Sequence, residues 1–232
     1  MRSSMLRALL LASALLAPAC VADDDPASPD GLDPSSGTGS DRGSDSGSGS
    51  NETPPGPVEK VLDHDYQVQQ TGYWCGPAAT RVVLSARISP PSQQTLANEL
   101  GTTVNGTDWI GQVTAVLNDD LGGNYYKTTE MPNDPPTQPQ RDRLWNDVVH
   151  SIDNDFAIVA NIVAPPGNQP PGYPSNQTIY HYFAVVGYNS EKREVYIADS
   201  ANFSGYQHYW LTLDKLATLI PPKGYSALDP AQ

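Results

Sequence analysis

A chain of 232 residues leaves room for one domain of roughly 150–180 residues with appendages, and its 22 prolines, 19 glycines and 17% charged residues favour a loop-rich globular protein over a helical bundle. The formal charge of −13 is uneven: residues 21–60 hold nine Asp/Glu against Arg42 and Lys60, while residues 61–232 hold seventeen against nine Lys/Arg. Acidic surfaces repel phosphate backbones and anionic bilayers, so the balance argues against a nucleic-acid partner and against membrane binding other than through a lipid anchor.

The first twenty residues, MRSSMLRALLLASALLAPAC, read as an export signal. Arg2 and Arg7 give a positive start, residues 8–16 form an apolar core too short to span a bilayer, and Ala17-Pro18-Ala19 supply small residues before a cleavage point. Two cleavages compete. A signal peptidase cutting after Ala19 releases a soluble secreted protein. Alternatively LAPAC is a loose lipobox, with Ala17 where leucine is usual, and Cys20 becomes the lipidated first residue of a bacterial lipoprotein. The lipoprotein is preferred, because a cysteine at that place has little other use. Residues 21–57 are almost entirely Asp, Ser, Gly, Pro and Thr. Such a stretch cannot bury enough apolar surface to offset its chain entropy, so a disordered acidic linker is expected, able to hold a domain off a cell-envelope membrane. The domain itself is expected over residues 58–232, as a monomer.

Pro77 opens a helix over residues 75–86, with Ala78, Ala79, Val82, Val83 and Ala86 on helical spacing. Proline is tolerated in a first turn, where its missing N–H would have had no partner. Ser92 caps a second helix over 93–100, closed by Gly101, and Thr107 or Asp108 caps a third over 109–118. A Pro-rich loop at 132–139 leads to a fourth helix over 140–151, marked by Leu144, Val148 and Val149. The chain then turns β-branched. Residues 156–163 (FAIVANIV) read as a buried strand, a Pro- and Gly-rich loop runs through Pro174, and 179–188 (IYHYFAVVGY) and 195–199 (VYIAD) form a hairpin about the polar turn 189–193. A strand over 207–213 and a short helix over 214–219 follow. Helices first and antiparallel strands after them define an α+β domain.

The chemistry concentrates at QTGYWCGPAAT, residues 70–80. If Cys20 is lipidated or removed, Cys75 has no disulfide partner within the chain, and an unpaired cysteine in an exported protein is flagged as a reactive thiol. A helix start stabilises a thiolate through its unsatisfied N–H groups and positive dipole end. Such a nucleophile needs a base, a group to orient the base, and oxyanion donors. Of four histidines, His64 lies in a surface-like DHD stretch and His150 near a helix end, where a cation is favourable. His181 and His208 lie in strands. The hairpin places His181 within two positions of Asp199 across the ladder, the second half of a Cys-His-Asp triad. A buried histidine flanked by tyrosines, beside an aspartate that merely ends a strand, fits the same spacing. Gln69 and Gln70 precede Cys75 by six and five residues, and either amide could serve as an oxyanion donor. Trp74, Trp109, Tyr182, Tyr206, Tyr209 and Trp210 could line a groove for peptide or glycan, or pack as core and rim. Asp63-His64-Asp65 rarely converges as a ligand set, so no metal site and no cofactor is expected. Matches to the glycosylation pattern, as at Asn105, are idle in a bacterial lipoprotein.

Taken in order, Gln69–x5–Cys75-Gly76-Pro77-Ala78-Ala79, then His181-Tyr182 with Ala184-Val185-Val186-Gly187-Tyr188, then Ile197-Ala198-Asp199-Ser200, resemble family thirty-nine of the cysteine peptidases. These are the papain-like, bacteriocin-processing double-glycine leader peptidases, and the likeness is greatest to their stand-alone exported relatives. It spans roughly residues 61–225. The resemblance implies a papain-like fold with Cys75 as nucleophile, His181 as base, Asp199 as its orienting group and Gln69, at the family's usual spacing, as oxyanion donor. It implies a thiol hydrolase of peptide or amide bonds acting through an acyl-enzyme on a peptide or protein substrate. Acyl transfer to an amine, or peptide or glycan binding without turnover, would use the same scaffold. The family's best-known members are fused to transporters and cut leaders ending in Gly-Gly. This chain has no spanning helix after its signal and no ATP-binding motif, so that specificity is not carried over.

Overall fold

The computed structural model describes residues 59–232; the expected signal segment, the acidic linker and Cys20 lie outside the described residues. The β-branched runs of the second half build the centre of an antiparallel sheet. β3 (Ile158–Ala164) pairs with β4 (Ile179–Asn189), β4 with β5 (Glu194–Ala198), and β5 with β6 (His208–Thr212). Two strands unforeseen in the sequence extend the other edge: β7 (Gly224–Leu228) beside β3, and β2 (Tyr126–Glu130) beside β7. A third, β1 (Glu59–Val61), pairs with the end of β4 past the reach of β3. Gly187 makes that crossing possible, since a Cβ there would meet Lys60 O at 2.6 Å.

Every residue of β4 except Tyr180 is buried. This follows from α1 (Cys75–Ser85) and α4 (Gln138–Asp153) both packing on it. α1 is buried from Cys75 through Leu84 and also contacts α2 (Gln93–Glu99) and α3 (Ile110–Leu121). Ser92 caps α2 as expected, accepting from Thr95 N–H at 3.1 Å. For α3 neither Thr107 nor Asp108 is the cap. Trp109 takes that position, and Gln112 Oε1 reaches back to its N–H at 2.9 Å, a hydrogen bond that satisfies the helix entry without a capping hydroxyl. The helix continues to Leu121 and stops at Gly122, whose φ of 68° closes it in the left-handed region. α4 starts two residues earlier than expected because Thr137 and Gln140 form a reciprocal capping box. α5 (Leu213–Leu219) is capped by Thr212. Among the described residues no helix is long and apolar enough to cross a membrane.

Candidate active site

Cys75 is the first residue of α1, buried, and not part of a disulfide. Pro77 completes the first turn as the sequence suggests. β4 and β5 supply the facing groups. Their ladder runs Ala184↔Ala198 and Val185↔Ile197, so His181, Phe183 and Asp199 share one face of the sheet. There the imidazole Nε2–H donates to Asp199 Oδ1 at 2.8 Å, with both side chains fully buried. The Cys75 thiol hydrogen-bonds the same imidazole. With Nε2 given to the carboxylate, the nitrogen that meets sulfur is Nδ1.

The aspartate is held by more than histidine. Tyr173 and Tyr209 hydroxyls donate to its Oδ2 at 2.7 and 2.6 Å, and Ala201 N–H donates to Oδ1 at 3.0 Å. The Tyr66 hydroxyl donates to the Asp199 carbonyl at 2.8 Å. A fully buried carboxylate is costly unless its lone pairs are met, and here two charge-assisted phenol bonds join the imidazole. Burial alone would raise the carboxyl's pKa; the charge and hydrogen bond of His181, then the bonds from Tyr209 and Tyr173, more than reverse it and leave it lowered. For the imidazole, burial opposes the charge. The charge and hydrogen bond of Asp199 outweigh it, Cys75 adds to them, and the pKa is pushed up to about 10. The pair is therefore ionic, imidazolium on carboxylate. Both phenols are pushed well above their ordinary pKa, chiefly by burial, and stay protonated donors.

Gln69 stands apart. Its backbone N–H donates to Ser200 O at 2.9 Å, next to Asp199, which ties the segment before α1 to the end of β5. Its side-chain amide, however, donates to Thr71 O at 2.9 Å, and its buried Oε1 has no partner among the described residues. Gln70 is exposed. The remaining histidines lie elsewhere. His64 Nδ1 bonds Leu62 O at 2.8 Å and its Nε2 meets His208 Nε2 at 2.9 Å, so the two rings satisfy each other. His150 lies in the last turn of α4, as expected.

Cys75 and His181 open onto a cavity of about 240 Å³ lined also by Gly106, Thr107, Asn161, Tyr180, Tyr182 and Lys223. A second hollow of about 210 Å³, with Trp109, Ile110 and Glu130, shares Asp108, Asn161 and Lys223 with the first. Of the aromatics expected at a groove, Trp109 and Tyr182 line these hollows, whereas Tyr209 serves the carboxylate and Trp210 packs on Tyr196. Thr107 closes tightly over the helix start: a Cβ at Gly76 would meet its Oγ1 at 2.3 Å. Neither Tyr173 nor Tyr209, the latter expected at a groove or in the core, is foreseen in the sequence as a partner of the carboxylate. Tyr209 was legible in principle, because β6 pairs it with Ile197, on the same face as Asp199. Tyr173 comes from an irregular loop and carried no periodic signal.

A helix-borne thiol against an antiparallel sheet that presents histidine and aspartate defines the class of papain-like cysteine peptidases. More narrowly, the chain belongs to the Peptidase C39-like family, whose profile matches residues 61–218. Among solved structures it is similar to a C39-like peptidase from Bacillus anthracis, at 14% identity and a TM-score of 0.50, over 74% of this chain and 98% of that one. It is also similar to the peptidase domain of Streptococcus ComA, a bifunctional ABC transporter of a quorum-sensing pathway, at 17% identity and a TM-score of 0.45, over 74% of this chain and 98% of that one. A double-glycine-motif protease from an AMS/PCAT transporter, solved with its leader peptide, matches at 12% identity and a TM-score of 0.44, over 74% of this chain and 94% of that one. No curated protein matches the chain.

Proposed function

We propose that this cysteine peptidase-like hydrolase is an exported enzyme that cleaves peptide bonds through Cys75, His181 and Asp199. The observation that carries the reading is the buried Asp199–His181 ion pair, at 2.8 Å, with Cys75 hydrogen-bonded to the same ring. The imidazolium keeps the sulfur as thiolate, helped by the start of α1. The thiolate adds to the scissile carbonyl carbon, and the carbonyl electrons move onto oxygen. Backbone at the helix start and the second amide N–H of Gln69 stabilise that oxyanion. As the tetrahedral intermediate collapses, His181 gives its proton to the leaving amine, and a thioester to Cys75 remains. Water then attacks the thioester while His181 takes its proton, and the acid departs with thiolate and imidazolium restored. Asp199 stays ionised throughout and fixes the ring so that Nδ1 faces sulfur. A monomer held to the cell envelope by lipid on Cys20, behind the acidic linker of residues 21–57, completes the reading.

Digestion of a broad peptide library by wild type and by Cys75→Ala tests the activity. Cleavages present only with wild type are expected, and their absence would remove the hydrolase. Metabolic labelling with palmitate tests the anchor, and label that survives Cys20→Ala refutes it.

A further inference from the structure

Gln93 is the first residue of α2, yet only 1% of its surface is exposed. Its carboxamide is turned toward the segment that precedes α1. Nε2 donates to Val68 O at 2.9 Å, with a longer contact of 3.4 Å to Gln67 Oε1, and Oε1 accepts from Gln70 N–H at 3.0 Å. A carboxamide offers one donor and one acceptor side by side, as a peptide group does. Gln93 therefore pairs with the backbone on both flanks of Gln69 the way a neighbouring strand would. Gln69 N–H itself goes to Ser200 O at 2.9 Å. The backbone around Gln69 is thus clamped between α2 and the end of β5.

We propose that Gln93 is a positioning residue for the oxyanion site: it fixes the backbone of Gln69 and hence the place of its amide. The inference rests on the reading of Gln69 as oxyanion donor. Residues 67–70 form no regular ladder with a strand, and the Gln93 amide, buried away from water, must find partners for its donor and acceptor in their backbone, since a buried polar group left unmet is costly. Ser92 sets the start of α2 and so brings Gln93 to face this segment. A donor aimed at a transition-state charge loses most of its effect when displaced by about 1 Å. Gln93 touches no reacting atom, and its effect passes through Gln69.

Two reactions of Cys75 separate this role from general support of the fold. Acylation by p-nitrophenyl acetate passes through a tetrahedral oxyanion and releases nitrophenolate. Alkylation by iodoacetamide displaces iodide at carbon and forms no oxyanion. In the full chain, Gln93→Met is expected to slow acylation roughly 10–100-fold and to leave alkylation within about twofold. Gln93→Glu, which keeps the acceptor for Gln70 N–H and loses the donor to Val68 O, should slow acylation in the same selective way and covers the case in which the methionine variant does not fold. The double variant Gln69→Ala/Gln93→Met should acylate no more slowly than Gln69→Ala alone. Wild-type acylation in both Gln93 variants, with Gln69→Ala slowed, overturns the inference and leaves Gln69 as donor. Equal slowing of acylation and alkylation also overturns it, since that marks a structural role. Wild-type acylation in Gln69→Ala overturns both readings.

Discussion

Replacing Asp199 by asparagine removes one charge and almost no volume, and the surroundings fix what should follow. Turned so that its one oxygen takes the place of Asp199 Oδ2, asparagine can still accept the phenols of Tyr173 and Tyr209, so the chain should fold. What goes is the anion that raises His181 to about 10 against burial, which works the other way. Without it, burial dominates and the imidazole is neutral at neutral pH. The thiolate then has no counter-ion. A thiol beside imidazolium at a helix start ionises somewhere near 3.5–7.5, whereas an unassisted one does so at about 8.5 and higher when buried. The midpoint of the pH profile for iodoacetamide alkylation should therefore move up by one or more units on replacing Asp199. At pH 6 a thiol ionising at about 8.5 is only about 0.3% thiolate. The absolute rate is a poor measure, because a more basic thiolate is intrinsically more nucleophilic and recovers part of the loss. The midpoint, with each variant normalised to its own plateau, is free of that compensation. A midpoint unchanged in Asp199→Asn, with the fold intact by circular dichroism, refutes the ion-pair account.

Three further outcomes follow from the same geometry. Tyr173→Phe and Tyr209→Phe each remove a donor from a fully buried carboxylate, at a cost of about 2 kcal/mol or roughly 4–8 °C in Tm. The double variant should lose more than the two together, since Oδ2 then keeps neither phenol; simple additivity in thermal melts counts against a shared network. Stability should also fall with alkali. His181 has a folded pKa of about 10 against an ordinary 6.5, so its contribution is whole below 6.5 and is lost as pH rises through 10. Asp199, lowered from 3.8, loses its contribution only as pH falls below that value. The slope of Tm between about pH 8.5 and 10, above the ordinary thiol pKa where unfolding no longer protonates Cys75, should accordingly flatten in His181→Ala, and an unaltered slope removes His181 as its source. Finally, Gly76→Ala places a methyl 2.3 Å from Thr107 Oγ1 and 2.9 Å from its Cβ, which forces Thr107 off the cavity wall at a cost of about 1–3 kcal/mol. Thr107→Gly in the same chain should restore much of the Tm; no recovery would place the strain elsewhere.

Much of the frame was legible because it obeys periodicity. α1 shows itself in the spacing of Ala78, Ala79, Val82 and Val83, and β3 and β4 in continuous β-branched runs that only a sheet covered on both faces accommodates. Hairpin arithmetic brings His181 near Asp199 even though the bulge between Val185 and Gly187 lies between the turn and the histidine, because it shifts the pairing by only one residue. β2 was invisible for a physical reason. Its YKTTE has charge at alternate ends and one apolar residue, and it is a strand because β7, about a hundred residues later, offers a ladder. β7 is short and follows the helix of residues 213–219, so nothing local announces it. The site divides along the same line. Residues on regular elements could be placed by counting, whereas Tyr173 lies in a loop whose only regular signals are Pro and Gly.

That loop bears on why the carboxylate is tolerable at all. An ion pair buried as deeply as Asp199–His181 does not stabilise a fold by attraction alone, since removing two charges from water costs several kcal/mol for each. The arrangement holds because each carboxylate oxygen has two donors: His181 and Ala201 on one, Tyr173 and Tyr209 on the other. One phenol comes from β6, one from the loop between β3 and β4, and a third, Tyr66, reaches the Asp199 carbonyl from the segment before α1. Three otherwise separate stretches thus converge on one residue. Tyr173 is further packed edge-on against Phe203, 4.7 Å between ring centres, which fixes its angle of approach. The irregular loop is thus held in part by the charge it solvates, together with Asn168 on Lys215 and Thr218 and Ser204 on Gly172 O. Tyr173 in turn adds to the larger effect of His181 and to that of Tyr209 in keeping the carboxylate ionised, so the His181–Asp199 pair and the loop support one another.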